Sequence, residues 1–375
     1  MNIYDELGTK TLINCAGTYT IVGGSRMSKK TTAVMAEAAR SHVEIRALQK
    51  EIHSRIADMT QNESACITAG AMSAIYLTIA SCISMKHQKE FKYISSDTVS
   101  ESEVIIFRSH RNPYDQAIEL LGVEIIESGY PNNISIRTET DLEQLINEKT
   151  VAIFYLDSAP GGWLSPGALN LDSTIRVAAS RSVPVVVDAA AQLPPVSNLW
   201  NYTKGGAAAA LFSGGKDLRG PQSTGLVVGK TELLKWLELN NFPNYGIGRI
   251  YKVGREEMTG LYNAIKEYLQ NDEDKQIAWY EEIVKLYVKA FSGSSVFKMS
   301  RAYPNEAGQP VPRARIHIQT EKLNAEKLKQ ELLARERSIF TMIENGHLYI
   351  NPVTIDQEEA EYVLNELKEI EISYK

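Results

Sequence analysis

Between Gly70 and about Val228, apolar runs of strand length alternate with segments whose apolar residues recur at helical spacing. This alternation predicts an α/β fold, because strands separated by helices pair in parallel and need helices on both faces of their sheet. We therefore expect a large domain built on a mostly parallel, doubly wound sheet. The strand candidates are Val104–Phe107, Val123–Ile126, Val151–Leu156, Val183–Val187, Ala208–Phe212 and Gly225–Val228.

The flanking segments complete the predicted domain organisation. Residues 28–60 have the apolar spacing of a long helix that leads into the large domain. After Val296 the pattern predicts a strand, a helix, a hairpin and a final helix, which together make a small α/β domain. We expect an N-terminal segment at 1–45, a large domain at 46–245 and a small C-terminal domain at 246–375.

Length and charge narrow the class of protein. With 375 residues and 43% hydrophobic content, the chain is long enough for two domains and a buried site. A net charge of −6 argues against general binding to nucleic acids or anionic membranes, since both need a basic surface. No apolar run approaches the roughly 18–20 residues of a membrane span. We expect a soluble, cytoplasmic protein with neither a nucleic acid nor a membrane as partner.

The cysteines give little sign of special chemistry. Cys15, Cys66 and Cys82 are widely spaced and form no metal-ligand pattern. The sequence therefore predicts buried thiols, with no disulfide framework and no metal site.

Lys216 lies on a tight glycine turn directly after an apolar strand. A lysine forms an imine with an aldehyde cofactor only when its amine is held in place and can become neutral. The preceding Gly-Gly pair would let a flat ring come close to the backbone. The turn therefore predicts a Schiff-base lysine, in the segment Leu211-Phe212-Ser213-Gly214-Gly215-Lys216-Asp217-Leu218-Arg219-Gly220-Pro221-Gln222.

Asp188 ends a run that has the composition of a buried strand, Val183–Val187. A carboxylate fixed at a strand end suits a protonated pyridine nitrogen. Pyridoxal 5'-phosphate acts as an electron sink only while its ring nitrogen stays protonated. Together, Lys216 and Asp188 predict pyridoxal 5'-phosphate as the cofactor.

Two further features suit the cofactor phosphate. Ser213 lies three residues before the lysine, within reach of the same turn. Gly70, Ala71 and Met72 open a helical pattern with small residues, and the first N–H groups of a helix can bind a phosphate. Core packing is the alternative role for Met72.

Each of these features also has an ordinary structural explanation. A lysine after Gly-Gly is often a surface turn residue, and an aspartate after a valine run often caps a helix or ends a sheet. The spacing favours one common site, since ligands of doubly wound sheets bind beyond the carboxyl ends of the strands. Asp188, Ser213 and His110 all follow such ends.

The order of these features resembles that of the fold-type I pyridoxal-phosphate enzymes, the superfamily of the aspartate aminotransferases and cysteine desulfurases. At family level the sequence resembles the group related to selenocysteine synthase that includes D-glucosaminate-6-phosphate ammonia-lyase. The resemblance runs from about residue 10 to the end. The motifs that carry it are Ile13–Thr20, Gly23–Ser28, Ser109–Asp115, Asp188–Pro195, Ser213–Gly225 and Lys252–Glu257.

The resemblance implies a role for each residue near the cofactor. Lys216 holds the cofactor and then takes the Cα proton of the substrate, and Asp188 pairs with the pyridine nitrogen. His110 matches the region where the superfamily stacks a flat side chain on the cofactor, although a lone histidine is more often structural. Gln192 either reaches the phenolic oxygen of the cofactor or caps the next segment.

Several basic residues compete to bind the acidic groups of the substrate. The superfamily commonly places its carboxylate-binding arginine in the small domain, where Arg313 and Arg315 lie on one strand, although a solvated edge strand would show the same pattern. A second basic set near the lysine suits a substrate phosphate: Arg219, Arg249, Lys252 and Arg255.

The N-terminal motif adds Thr18 and Ser25 as candidate substrate-binding residues. The turn Gly23–Arg26 either forms a lid, contacts the site of a neighbouring subunit or is an ordinary loop before a helix cap at Ser28. The resemblance also implies a homodimer or a higher homo-oligomer with sites near the interface.

The leading hypothesis for the reaction is α,β-elimination from a 3-hydroxy amino acid or amino-sugar acid such as D-glucosaminate 6-phosphate. Ammonia and a 2-oxo-3-deoxy acid would be released. An aminotransferase, a racemase and a cysteine- or selenocysteine-type lyase share the same early chemistry and stay open. Selenium transfer to seryl-tRNA is disfavoured by the acidic charge, and a non-catalytic relative is disfavoured by the presence of Lys216 and Asp188.

Overall fold

The computed structural model describes residues 3–130, 138–158 and 167–375. These residues group into two compact units. The large unit comprises Met27–Gln270, and the small unit joins Met1–Arg26 to Asn271–Lys375. In the described ranges no helix is both long enough and apolar enough to span a bilayer.

The helices of the described chain are, in chain order, α1 (Ile3–Glu6), α2 (Lys29–Ala39), α3 (Ile45–Met59), α4 (Ala71–His87), α5 (Ser96–Ser100), α6 (Gln116–Glu119), α7 (Glu139–Leu145), α8 (Leu171–Ser180), α9 (Asn198–Lys204), α10 (Thr231–Asn240), α11 (Arg255–Gln270), α12 (Glu273–Ala290), α13 (Ala325–Leu333) and α14 (Gln357–Tyr374). The strands are β1 (Leu12–Asn14), β2 (Ser64–Thr68), β3 (Glu103–Phe107), β4 (Glu124–Ser128), β5 (Thr150–Leu156), β6 (Val185–Asp188), β7 (Ala209–Ser213), β8 (Gly225–Gly229), β9 (Phe297–Ala302), β10 (Arg313–Ile318), β11 (Ser338–Phe340), β12 (Met342–Glu344) and β13 (His347–Ile350).

The large unit is built on a sheet with the strand order β2-β8-β7-β6-β5-β3-β4. Pairing is parallel from β7 through β6, β5 and β3 to β4, whereas β8 runs antiparallel to both β7 and β2. This arrangement confirms the predicted fold class. The edge strand β2 was not among the predicted strands, because its sequence Ser-Ala-Cys-Ile-Thr is short and lacks a run of large β-branched residues.

The sheet is buried on both faces, as a parallel sheet flanked by helices must be. Alternate strand residues pack on the two faces, so that Ile105 and Val187 belong to one core and Ile106 and Val186 to the other. The first core also receives α3, α8, α9 and α11, and the second receives α4 and α10. Each fully buried aliphatic side chain contributes about 1.5–3 kcal/mol, which makes these two layers the main stabilising feature of the unit.

The small unit has its own core around an antiparallel sheet with the order β12-β13-β10-β9. The helices α12, α13 and α14 supply the other side of that core. The N-terminal segment belongs to this unit because β1 pairs in parallel with β11, and Cys15 N–H continues the pairing by donating to the Phe340 carbonyl at 2.8 Å. The predicted strand, helix, hairpin and final helix are all present.

The unit boundaries differ from the domain boundaries predicted at 45 and 245. The helix α11 stays with the large unit because it packs against α2 and α3. Residues 1–26 join the C-terminal residues through β1 and β11. A periodic pattern identifies a helix or a strand, but it does not say which distant element will cover its apolar face.

The cysteines follow the prediction. All three are buried and free, and burial raises the pKa of the Cys66 and Cys82 thiols to about 12. Cys66 and Cys82 lie in the second core of the large unit and Cys15 in the core of the small unit, and burial makes such thiols unreactive.

Candidate active site

Residues predicted for the site meet at the carboxyl edge of the large sheet. The pairing register aligns Thr68 of β2 with Gly225 of β8, and Gly225 with Ser213 of β7. In the next strand, Asp188 is paired with Leu211, two residues before Ser213. The β2–α4 connection, the end of β7 and the end of β6 therefore lie side by side.

The lysine turn is closed by three backbone hydrogen bonds. Gly214 N–H donates to the Thr224 carbonyl at 2.8 Å, Gly220 N–H to the Gly214 carbonyl at 2.8 Å, and Arg219 N–H to the Lys216 carbonyl at 2.9 Å. These bonds fix the backbone of Lys216, whose side chain is partly buried.

The two glycines before Lys216 are required by close packing. A Cβ atom at Gly214 would lie 2.0 Å from Thr224 Oγ1, and one at Gly215 would lie 2.4 Å from Gln222 Cα. Any other residue would push the two sides of the turn apart. The Gly-Gly pair thus lets the start of the lysine turn pack closely against Gln222 and Thr224 at its end.

Asp188 is 4% exposed at the end of β6. Its Oδ1 accepts a hydrogen bond from Ala190 N–H at 2.9 Å. Burial raises the pKa of Asp188, the hydrogen bond and the charge of Lys216 lower it, and the charge of Asp115 raises it. The net effect is a raised pKa of Asp188. Its carboxyl lies within electrostatic reach of the Lys216 amine, so a cationic partner would favour its ionised form.

The start of α4 forms an open cradle beside Ser213. Gly70 has a φ of +86° and supplies no side-chain cap, so the first N–H groups of this 17-residue helix are left to other partners. A Cβ atom at Gly70 would meet nothing within 4 Å, whereas one at Gly225 would lie 2.5 Å from the Gly70 carbonyl oxygen. Met72 is 39% exposed, so it is a surface residue and not part of the core.

His110 lies in a short 3-10 helix that directly follows β3. Its ring is 3% exposed and meets Phe107 and Tyr155 edge to face, with centroid distances of 5.4 and 4.6 Å. Burial lowers the pKa of His110 to about 4, so the imidazole is neutral near pH 7. Its Nδ1 atom is buried and has no hydrogen-bond partner among the described residues.

Gln192 is buried in the turn after β6, where its N–H donates to the Ala189 carbonyl at 3.0 Å. Its own carbonyl accepts from Asn198 Nδ2 at 2.7 Å. The backbone of Gln192 thus organises the approach to α9, while its role toward a cofactor stays a prediction.

The candidates for substrate binding divide between the two units. In the large unit, Arg219 and Lys252 are exposed. The Arg255 guanidinium instead donates to the Ala38 and Ala39 carbonyls at 2.9 and 3.0 Å, and these bonds hold it at the end of α2. Arg249 lies over the Phe242 ring at 5.4 Å.

In the small unit, Arg313 is buried in an ion-pair cluster. Its guanidinium contacts both carboxylate oxygens of Glu344 at 2.6 and 3.1 Å and an oxygen of Glu306 at 2.8 Å. The Tyr349 ring covers it at 4.2 Å. The Arg313 guanidinium already contacts two carboxylates, which is typical of a structural ion pair.

The N-terminal candidates are held within the small unit. Thr18 and Ser25 are partly buried, and the Oγ of Ser25 has no hydrogen-bond partner among the described residues. The adjacent Arg26 forms a two-pronged ion pair with Glu359 at 2.8 and 2.6 Å. In this structure the turn is therefore anchored to the start of α14.

Sequence reasoning missed a buried hydrogen bond beside Asp188. The phenol of Tyr202 donates to Asp157 Oδ2 at 2.5 Å, and Asp157 N–H donates to the Asp188 carbonyl at 3.0 Å. Asp157 directly follows β5 and Asp188 is the last residue of β6, so the same strand-end criterion would have found Asp157. No local pattern marks Tyr202.

The residues at this edge fit pyridoxal phosphate, a flat pyridine ring that carries an aldehyde and a phosphate. Lys216 offers an amine on a fixed turn, and Asp188 a buried carboxylate for the ring nitrogen. The neutral His110 ring, with its unpartnered Nδ1, offers an apolar face and spare hydrogen-bonding capacity. The start of α4 offers N–H groups for the phosphate. Within the described ranges, no three His, Cys, Asp or Glu side chains lie close enough to hold a metal ion.

Comparison with known proteins relates the whole chain to such enzymes, although no family model matches it. It is 29% identical to D-glucosaminate-6-phosphate ammonia lyase of Salmonella typhimurium over 98% of both chains. A solved structure of D-glucosaminate-6-phosphate ammonia-lyase matches with a TM-score of 0.85 at 28% identity, covering 100% of this chain and 99% of the other.

Two further relatives carry different activities in their names. A 5'-C-glycyluridine monooxygenase-decarboxylase of Streptomyces sp is 25% identical, over 98% of this chain and 91% of its own. An L-seryl-tRNA(Sec) selenium transferase of Clostridium perfringens is 24% identical, over 97% of this chain and 84% of its own.

The fold, together with a lysine and an acid at adjacent strand ends, defines the chain as a fold-type I pyridoxal-phosphate enzyme. Within that class its similarity is to the group related to selenocysteine synthase that includes D-glucosaminate-6-phosphate ammonia-lyase. Of the relatives above, the ammonia lyase has the highest identity, and the chain is an enzyme of the lyase type.

Proposed function

We propose that this enzyme binds pyridoxal phosphate through Lys216 and catalyses α,β-elimination from a 3-hydroxy amino acid such as D-glucosaminate 6-phosphate. The products are ammonia and a 2-oxo-3-deoxy acid. The observation that carries the proposal is the placement of Lys216 on a rigid turn within electrostatic reach of Asp188. The nearly full-length similarity to an ammonia lyase supports the choice of reaction.

The chemistry that bound pyridoxal phosphate supplies is withdrawal of electrons from the substrate Cα, which makes the proton on that carbon acidic. Lys216, in its neutral form, takes this proton. Its backbone is held by the bonds within residues 214–224, so the amine starts from a fixed position. The hydroxyl on the neighbouring carbon then leaves, and together with the proton that Lys216 took from Cα it makes one water.

The overall reaction balances without an oxidant. Loss of water from the 3-hydroxy amino acid gives an enamine, which tautomerises to an imine after release. Water then adds to the imine and displaces ammonia. One water is lost and one is regained, so the net products are one 2-oxo-3-deoxy acid and one ammonia.

The other buried groups prepare the site for this step. Asp188 keeps a negative charge where a ring nitrogen must stay protonated, and its burial makes that charge more effective. His110 is held by Phe107 and Tyr155 and covers a ring face with a neutral imidazole. Ser213 and the N–H groups of Gly70, Ala71 and Met72 bind the cofactor phosphate.

The acidic groups of the substrate need cationic partners. Arg219 and Lys252 are the candidates that we favour, because both are exposed and Arg219 belongs to the lysine turn itself. Arg313 would have to exchange Glu306 or Glu344 for the substrate. Thr18 and Ser25 stay candidates for contacts with the sugar-acid hydroxyls, and a homodimer or higher homo-oligomer stays a prediction.

The deciding experiment is an assay of ammonia and 2-oxo acid formed from D-glucosaminate 6-phosphate by the purified protein loaded with pyridoxal phosphate. We expect turnover without an added amino acceptor, and its loss in Lys216→Ala. Lys230→Ala is the matched control, because Lys230 is an exposed lysine after β8. It should retain full activity.

The same assay separates the competing reactions. A requirement for a 2-oxo acid as amino acceptor would indicate an aminotransferase. Exchange of the Cα proton with solvent, without ammonia, would indicate a racemase. If the bound cofactor shows its normal visible absorbance and none of these products forms, D-glucosaminate 6-phosphate is the wrong substrate.

A further inference from the structure

A hydrogen-bonded pair of a buried phenol and a half-buried carboxylate lies next to the candidate ring-nitrogen acid along the sheet. Tyr202 is 7% exposed on α9 and packs against the Phe212 ring at 6.3 Å. Its hydroxyl donates to Asp157 Oδ2 at 2.5 Å, a short bond typical of a neutral donor and an ionised acceptor. Burial raises the pKa of Asp157, and the bond from Tyr202 opposes that rise.

The pair is linked to Asp188 through the backbone. Leu156 is the last β5 residue in register with β6, and its partner is Asp188. One residue further on, Asp157 N–H donates to the Asp188 carbonyl at 3.0 Å. Asp157 therefore extends the β5–β6 pairing by one residue beyond the end of β5. Its side chain is the one that binds the Tyr202 hydroxyl.

The same contacts close a loop in the chain. From Asp188 the chain turns through Gln192 and enters α9, and Asn198 Nδ2 secures that turn by donating to the Gln192 carbonyl. Tyr202, four residues into the helix after Asn198, then reaches back to Asp157. The path from Asp188 to Tyr202 is thus fastened at both ends to the tip of β5. We call these contacts the Tyr202–Asp157 clamp.

We propose that Tyr202 and Asp157 are positioning residues whose hydrogen bond fastens the Asp188–Gln192 turn to β5 and so holds the Asp188 carboxylate in place for the cofactor. Neither residue needs to touch the substrate. The inference rests on the proposed cofactor site and is independent of the proposed substrate and reaction.

The test has two readouts. The first is the dissociation constant of pyridoxal phosphate, and the second is the visible circular dichroism of the bound cofactor. The visible dichroism depends on the ring being fixed in one orientation. If Tyr202 and Asp157 only stabilised the fold, their substitution would leave this dichroism unchanged. The variants are Tyr202→Phe, Asp157→Ala, their double mutant and Asp157→Asn. Tyr287→Phe is the matched control, because Tyr287 is a buried tyrosine of the small unit whose hydroxyl donates to the Ala360 carbonyl at 2.7 Å.

We expect Tyr202→Phe and Asp157→Ala each to weaken cofactor binding by about tenfold, the effect of losing one hydrogen bond to a charged group, and to reduce the visible dichroism. The double mutant should lose about tenfold as well, because the second change removes nothing further. Asp157→Asn keeps an oxygen that accepts from Tyr202 and should stay within about threefold of the wild type. Tyr287→Phe should leave both signals unchanged.

Three results would overturn the proposal: wild-type affinity and dichroism in Tyr202→Phe, additive losses in the double mutant, or equal losses in Asp157→Ala and Asp157→Asn. Should Tyr202→Phe fail to fold, the comparison of the two Asp157 variants decides alone. Failure of the cofactor site itself gives a different pattern, in which the wild type does not retain pyridoxal phosphate in a Lys216-dependent way.

Discussion

Each unit buries a cluster of charged side chains, and the two clusters differ in how far the chain itself satisfies them. In the small unit, the Arg313 guanidinium contacts Glu344 and Glu306. In the large unit, the Asp188 carboxyl accepts a hydrogen bond from Ala190 N–H and lies within electrostatic reach of Lys216. Among the described residues each cluster also has a buried nitrogen without a hydrogen-bond partner, Nδ1 of His110 in the large unit and Nε of Arg313 in the small unit.

This difference indicates which cluster is built for a ligand. A buried charge is costly unless it is paired, so a cluster that pairs its charges internally stabilises the folded chain without help. A buried carboxyl whose pKa is raised by burial instead gains free energy when a cationic ligand binds beside it. We therefore expect the Arg313 cluster to be structural and the Asp188 cluster to bind a ligand.

The largest effect that we expect comes from Asp188→Ala. Because the variant removes the charge that a protonated ring nitrogen requires, kcat/KM should fall by about a thousandfold, or about 4 kcal/mol of transition-state stabilisation. The thermal midpoint of the cofactor-free protein should stay the same or rise, since a buried charge is lost. A large fall in that midpoint would show that the two clusters are alike after all.

Arg313→Met should have the next largest effect, this time on stability. It leaves the two partly buried carboxylates of Glu306 and Glu344 without their guanidinium, which costs about 3 kcal/mol in the free energy of unfolding. Urea unfolding followed by circular dichroism measures the loss. Normal stability with a raised KM would instead give Arg313 the role of a substrate-binding residue.

His110 should make the stability of the large unit depend on pH. Burial lowers its pKa from 6.5 to about 4, so the unfolded chain binds a proton at a higher pH than the folded chain does. The contribution of the neutral ring is therefore complete above pH 6.5 and is lost as the pH falls toward 4. Between pH 6.5 and 4, the free energy of unfolding of the wild type should fall by up to about 1.4 kcal/mol per pH unit more than that of His110→Phe. Parallel unfolding curves for the two proteins would contradict this expectation.

Glu344→Gln should have the smallest effect of the four. The amide keeps the shape of the side chain and one acceptor oxygen, and Glu306 still balances the Arg313 charge. We expect a loss of about 1 kcal/mol, measured by the same urea titration. A loss as large as that of Arg313→Met would mean that Glu306 does not compensate.

The sequence was sufficient for those parts of the molecule that depend on local patterns. Runs of β-branched residues predict most of the central sheet, and a strand end followed by Asp188 or by the Lys216 turn predicts where the site lies. The carboxyl edge gathers these residues because parallel strands end on the same side, which is a property of the fold class.

Contacts between distant elements could not be predicted in this way. Arg313 lies on β10, but Glu344 at the end of β12 and Glu306 in a loop turn it into an ion pair. Tyr202 and Asp157 are 45 residues apart and meet only because α9 folds back on β5. A sequence pattern predicts which face of a helix or strand is buried. Which distant residue contacts that face depends on how the elements pack.

The antiparallel strand β8 has a consequence for the dimensions of the site. It contributes no side chain with an assigned chemical role, yet it separates β2, which leads to the phosphate cradle, from β7, which leads to Lys216. Two inter-strand spacings amount to about 10 Å. The width of one intervening strand thus sets the distance between the start of α4 and the Lys216 turn, and Gly225 allows this strand to pass close to the Gly70 carbonyl oxygen.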